Sequence, residues 1–328
     1  MTLLRPPGSY PAGSYPPGSA QCLKILLGGA AALLLAMPLQ GQPHPPDQGE
    51  EWLSSIMGDP GLAVDVPMKD LAARNFDSIW LTPHRKSTLG FVGSDYQRVR
   101  IRFLTVTRES VTKEGVTRER KSPPVFAVTG KTMVREVICA FKGRIEVTEA
   151  KGIRTPKDSS NRRAVLMGRY RFDEDAHCRD PGRFKGVFTS NILLVGKTGV
   201  RYDTLEREAD GFWNNAFVGT WKKPGDSLAS ICNWGDYRIP YSGNLDEGVG
   251  EFSVAADYRR FGWERYVNAV NGDKAAINAE ADRWWEWEPE RESTRPKPDT
   301  SSKGKIPAKN RIAPAHKRPI LPPRPPAP

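Results

Sequence analysis

With 328 residues, 38% of them hydrophobic, the chain is long enough for one or two domains, and its formal net charge is +11. Residues 294–328 hold nine basic side chains (Arg295, Lys297, Lys303, Lys305, Lys309, Arg311, Lys317, Arg318 and Arg324) against Asp299, so most of the basic surplus belongs to the tail. Ten prolines in the same stretch exclude a packed core there, which leaves about 50–290 for a single folded domain.

The chain begins with an imperfect Gly-Ser-Tyr-Pro repeat in residues 1–21, a low-complexity extension that cannot build a core. Lys24 then precedes an apolar run of thirteen residues, 25–37, followed by Pro38 and the small or polar stretch 39–42. Thirteen apolar residues suit the h-region of a secretory signal and fall short of the ~20 that span a bilayer. The expectation is an exported protein of the periplasm or cell envelope, cut after Gly41, with 1–41 as the signal sequence and its extension. It would touch a membrane only through that segment, if uncleaved. The extension is long for an ordinary n-region, which fits a true start near Leu23, and Cys22 precedes the apolar run, so it is no lipoprotein acylation site.

Residues 50–76, with Trp52, Leu53, Ile56 and Met57, suggest a short helix before the first strand. From Ser78 onward a period of two dominates. In 97–103 Val99, Ile101 and Phe103 point one way and Arg98, Arg100 and Arg102 the other, as in a half-buried strand with a charged outer face. Residues 137–147 repeat this with Val137, Cys139, Phe141, Ile145 and Val147, and Gly143 falls in the same register, where a strand bends or meets another backbone. Leu166, Tyr170 and Phe172, then Phe184, Gly186 and Phe188, continue the pattern. Further strands are expected at 192–195, 199–202, 216–221 and 231–239, separated by turns such as Asp180-Pro181-Gly182 and Pro224-Gly225-Asp226. Two helices are expected at about 253–287. Ser253 caps one ending at Asn271-Gly272, and Asp273 caps the other, 274–287. The fold class is therefore mainly β, an antiparallel barrel-like or sandwich domain with one or two C-terminal helices and disordered termini.

Once the signal is removed, Cys139, Cys178 and Cys232 remain, without a C-x-x-C pair that would signal zinc or redox chemistry. Cys139 shares a strand face with Val137 and Phe141 and is expected to be a buried free thiol, leaving Cys178 and Cys232 as the bridge. The cluster Asp173, Glu174, Asp175, His177 and Cys178 lacks a readable convergent ligand set, and Asp246, Glu247 and Glu251 miss the calcium-loop pattern, so neither metal nor cofactor is expected.

The densest aromatic and polar stretch is 210–252. Within it Trp213, Asn214, Asn215, Trp234, Asp236 and Arg238 are the candidate ligand-binding set: an indole stacks on the apolar face of a sugar, and the polar groups bond its hydroxyls. Alternation over 231–239 sets Cys232, Trp234, Asp236 and Arg238 on one strand face. The other reading of this stretch is that Phe217 and Trp221 fill the core while Asp236 and Arg238, at i and i+2 on one strand face, pair with each other. A hydrolase reading would use carboxylates in 233–251, such as Asp236 and Glu251, as acid and base. The tail lacks an aromatic residue to stack on bases, which argues against nucleic acid and for an anionic envelope polymer as its partner.

Asn214-Asn215, Phe217, Gly219-Thr220-Trp221, the run from Cys232 through Asn233-Trp234-Gly235-Asp236-Tyr237-Arg238-Ile239-Pro240, and Leu245-Asp246 through Gly250-Glu251-Phe252 resemble the signature of a family of uncharacterised exported bacterial proteins. That resemblance implies export and no particular activity. Gly219-Thr220-Trp221 also resembles the Gly-x-Trp of lipocalin-like barrels, although there it lies near the first barrel strand and here it comes late. Together these features predict an exported, non-catalytic binding or structural protein that recognises a glycan through 213–238. The alternative is a carbohydrate-active hydrolase.

Overall fold

A computed structural model describes residues 48–81, 88–109, 123–154 and 162–288. The expected signal segment at 1–41, the cleavage point and the basic tail at 291–328 lie outside the described residues.

Helix α1 (Gln48–Met57) leads into strand β1 (Leu62–Asp65) and two short helices, α2 (Met68–Ala72) and α3 (Asp77–Trp80). The strands that follow are β2 (Thr88–Val92), β3 (Gln97–Arg108), β4 (Val125–Val134), β5 (Val137–Ile153), β6 (Arg162–Glu174), β7 (Arg183–Val195), β8 (Gly199–Tyr202), β9 (Asn214–Lys222) and β10 (Ser230–Asp236). Helices α4 (Glu264–Val270) and α5 (Lys274–Ala281) follow, with 3₁₀ turns at Gly243–Leu245, Ala256–Phe261 and Trp284–Glu286.

Every pairing is antiparallel. The order β5-β4-β3-β2-β10-β9-β7-β6 returns to β5, so eight strands close a barrel. Closure leaves none of the eight as a free edge. The two short strands extend long neighbours: β1 joins β5 at Lys151–Ile153, beyond the reach of β4, and β8 joins β7 at Ile192–Val195, where β9 has left it.

The period of two becomes inside and outside. Val99, Phe103, Phe126, Phe141, Ile145, Tyr170, Phe172, Phe184, Phe188, Phe217 and Trp234 fill the interior. So many rings fit because glycines face them. A Cβ on Gly143 would come within 2.7 Å of Phe172, and one on Gly168 within 2.6 Å of Phe188. The predicted close approach at Gly143 is to the neighbouring backbone of β6, with Arg171 O the atom nearest a Cβ placed there, and to the ring of Phe172 beside it. Leu71, Phe76, Ile79 and Trp80 of the α2–α3 segment plug one mouth, with Trp80 edge-on to Phe126 at 5.4 Å and to Phe188 at 5.5 Å. The loop between β6 and β7 closes the other. There Glu174 accepts hydrogen bonds from Thr132, from Trp221 Nε1 (3.0 Å) and from the Gly182 amide (2.8 Å).

A disulfide joins Cys139 to Cys178 across that second mouth, and Cys232 is a buried free thiol. This corrects the expected pairing. Cys139 does point to the core face, but at the barrel rim, where the loop folds back and the Asp175 amide donates to Ala140 O (2.8 Å). Cys232 is buried inside the barrel on β10, near Tyr170, and the loop's cysteine bonds Cys139 instead.

Three outer faces are covered. Trp52, Leu53 and Ile56 of α1 lie on Val165, Met167, Val187 and Val218. Leu89 and Phe91 of β2 pack with Phe252, Trp263 and Val267, and Met133 and Ile138 pack under Trp284. The expected C-terminal helices are shorter than the sequence suggests. The first is split at Gly262 (φ 91°), and only the part from Glu264 is α-helical. The second keeps its Asp273 cap, which accepts from the Ala276 amide at 2.8 Å, but ends at Ala281 because Asp282 turns extended.

Candidate functional site

Strand β2 meets β3 at Phe91–Arg98 and Val92–Gln97, and beyond these pairs the two strands diverge. Thr88, Ile101 and Arg102 border the opening, which leads inward to a chamber of about 30 Å³ and outward to a bay of about 220 Å³. The bay shares Arg100, Tyr266, Val270, Glu280 and Trp285 with a groove of about 740 Å³ on the outer wall.

The chamber lies beneath the Trp80 plug. Asp236 accepts hydrogen bonds from Thr88 Oγ1 (2.5 Å), Asn215 Nδ2 (2.9 Å) and Tyr202 OH (3.1 Å). Burial, then the Asp236 charge, push the Tyr202 phenol up, so it remains a donor. Asn215 adopts a left-handed φ of 44°, which asparagine tolerates, at the place where β9 shifts register against β10. Its amide also donates to Ile79 O (3.2 Å) and holds α3 in the mouth. The indole N–H of Trp80 lines the same space and has no partner among the described residues. At this volume the chamber admits a water molecule or two and no sugar ring.

The groove differs in scale and in chemistry. Phe212, Tyr237, Phe252, Tyr266 and Trp285 give it aromatic walls, and Arg100, Arg207, Arg238 and Arg283 alternate with Glu208, Asp210, Glu251 and Glu280. Equal numbers of cations and carboxylates leave it close to neutral yet rich in donors and acceptors. Its helical wall is clamped to β3. Arg98 makes a bidentate pair with Glu280 (2.9 and 2.6 Å), and Arg265 Nε adds a third bond to that carboxylate at 3.0 Å. Burial alone would raise the Glu280 carboxyl, but hydrogen bonding and charge from Arg98, with Arg100 and Arg265 behind it, hold it at about 2. Burial brings the Arg100 guanidinium down to about 10, still charged at neutral pH. The three outward arginines of β3 each stack on the C-terminal segment: Arg98 over Trp263 (5.2 Å), Arg100 over Trp284 (5.5 Å) and Arg102 over Trp285 (5.0 Å).

The six residues expected to form one ligand surface are divided among four places. Trp234 is 2% exposed, stacked on Phe217 at 4.8 Å inside the barrel, and with Asn215 and Asp236 it belongs to the chamber. Trp213 is 4% exposed and packs edge-on to Trp52 beneath α1, so neither tryptophan can stack on a sugar in this fold. Asn214 is structural: its side chain bonds the Asn191 amide (2.7 Å) and carbonyl (3.0 Å), bridging the gap where β9 parts from β7. Arg238 lines the groove. The predicted sharing of one strand face by Asp236 and Arg238 fails because β10 ends at Asp236 and Tyr237 takes φ 69°. Arg238 therefore turns outward to Asp246 (2.7 Å) and to the carbonyls of Gly248 and Val249 (3.1 Å each).

Sequence reading missed Phe212, Trp285 and the three β3 arginines as one site. The alternation of Arg98, Arg100 and Arg102 was visible, but their aromatic partners lie more than 160 residues away. Among the described residues, no group of three or more His, Cys, Asp or Glu side chains is placed to hold a metal. No described helix is long and apolar enough to cross a membrane. Fold and site define a closed eight-stranded antiparallel barrel with a filled interior and an external groove. No protein-family model, curated protein or solved structure matches the chain.

Proposed function

We propose that this chain is an exported, non-catalytic carbohydrate-binding protein of the bacterial envelope, with its ligand in the outer groove. The observation that carries the reading is the groove itself: aromatic walls beside interspersed arginines and carboxylates. Sugar hydroxyls both donate and accept, and their C–H faces stack on rings, so a nearly neutral, donor- and acceptor-rich aromatic groove suits them. The disulfide supports export, since such bonds persist in oxidising compartments. Binding is favoured over hydrolysis because Asp236 lines the inner chamber and Glu251 the outer groove, so the two carboxylates do not share a cleft.

The test is an array of neutral oligosaccharides probed with the full chain, followed by calorimetry on Trp285→Ala and Arg207→Ala. Each substitution is expected to weaken binding about tenfold, the equivalent of one lost contact of ~1.4 kcal/mol. Arg207 is exposed, so its loss should leave the melting temperature nearly unchanged. A parent that binds no oligosaccharide, or variants that bind as well as the parent, would refute the proposal. Release of new reducing ends from a bound oligosaccharide would favour the hydrolase.

A further inference from the structure

At the disulfide end of the barrel, the outer faces of β5, β6, β7 and β9 are exposed and carry rows of charge set by strand register. One row runs Lys142, Asp173, Arg183, Lys222; the next runs Arg144, Arg171, Lys185, Thr220. Six cations therefore share a face with Asp173, which pairs with Arg171 at 3.4 Å and with Arg183, while Glu109 reaches in from the margin to Arg144 at 2.7 Å; Lys142, Lys185 and Lys222 add to the surplus. The side chains are open to solvent: Arg144 is 70% exposed, Arg171 59% and Arg183 52%.

Register makes this more than a solvated face. Arg144, Arg171 and Lys185 stand directly opposite one another on three adjacent strands, an arrangement of like charges that costs stability. The neighbouring row on the same strands does the reverse. It sets Glu146 opposite Arg169, and Arg169 in turn pairs with Glu50 of α1 at 2.6 Å. On the other side, Lys142, Asp173 and Arg183 also alternate in sign, so the like-charge row stands out between two sign-matched neighbours.

We propose that this plateau docks an extended carboxylated polysaccharide. Arg144, Arg171 and Lys185 follow one another about every 4.8 Å across the strands, with Lys142, Arg183 and Lys222 roughly 7 Å along them, so a polymer with regularly placed anions can engage several at once. Three of the cations are arginines, whose planar forks match carboxylates bidentately. The outward positions of the two rows hold only charged side chains and Thr220, with no apolar anchor for a lipid surface and no ring to stack on a base. The site is separate from the groove and does not depend on the carbohydrate reading given above.

The experiment measures binding of the full chain to polygalacturonate over a salt series. The parent is compared with Arg171→Glu/Lys185→Glu and with Lys197→Glu/Lys274→Glu, the same charge change made at exposed positions elsewhere. The plateau variant should bind about tenfold more weakly or worse, with a flatter salt dependence, because fewer counterions are released. The control pair should stay within about twofold of the parent, since charges away from the contact act only through the screened field. Replacing Arg171 by Glu should also hold or raise the melting temperature, because the exposed pair with Asp173 contributes little and the new carboxylate faces both Arg144 and Lys185. Equal weakening in both variants would overturn the proposal by showing diffuse attraction, the basic tail included. So would a parent that ignores polygalacturonate, one that prefers phosphatidylglycerol vesicles or duplex DNA, or a plateau variant that melts earlier or fails to fold.

Discussion

Trp234 shows how one residue's role changes when its neighbours become known. In the sequence it stands between Asn233 and Gly235 in a polar stretch and looks like a ligand platform. In the fold it lies between Phe217, Tyr170 and Phe184 in the middle of the barrel. Trp234→Ala is accordingly expected to cost ~3–5 kcal/mol of unfolding free energy, measured as a lower denaturant midpoint at unchanged slope. A loss below about 1 kcal/mol would contradict its place in the core. Strand alternation could assign Trp234 to one face of β10, and it did place Trp234 with Cys232. Which face was the inside depended on how β10 meets β2 and β9, which no local pattern encodes. Arg238 was misassigned for a different reason: a single left-handed residue, Tyr237, ended the alternation one step before it.

At the scale of elements, the strands were legible and the helices only partly so. Val137–Ile153 and Arg183–Val195 were seen as shorter runs, because their far ends pair with β1 and β8 and lose the clean inside-outside alternation. The helical segment reads as two long amphipathic helices, yet its shape is governed by what it fastens. Glu280, Trp263, Trp284 and Trp285 attach it to the arginines of β3. The carboxyl of Glu280 titrates at about 2 in the folded protein, below its ordinary value. A depressed carboxylate contributes stability that is complete above the ordinary carboxylate range and is lost as pH falls from about 4.5 toward about 2. Amide exchange in residues 264–287 should therefore accelerate over that window while the barrel strands remain protected. Glu280→Gln should show the faster exchange already at pH 7. Equal exchange in parent and variant at both pH values would mean that the ion pair is not what holds the segment down.

For the molecule as a whole, closure of the sheet sets the energetics. The disulfide ties β5 to the loop after β6 across a sequence separation of 39, which in the loop-entropy picture stabilises by ~2–4 kcal/mol. Reduction, or Cys139→Ser, should lower stability by that amount. Peptide mapping should recover Cys139 joined to Cys178, with Cys232 alkylated only after unfolding. A peptide linking Cys232 to either partner would contradict the fold.

The seam between β2 and β3 has a mechanical consequence. Along β5–β6 and β6–β7, ladders run nearly the whole strand, whereas β2 and β3 are joined at Phe91–Arg98 and Val92–Gln97 and then held together from outside. The strap bears on both sides of the seam, through Trp263 and Val267 on β2 and through Glu280 on β3. Under tension a staved cask gives way where one hoop crosses its shortest joint, and in this barrel that joint frames the opening between chamber and bay. A force that peels the C-terminal segment away would part the staves there first, exposing Asp236 and the face of Trp234 while the remaining seven seams still hold.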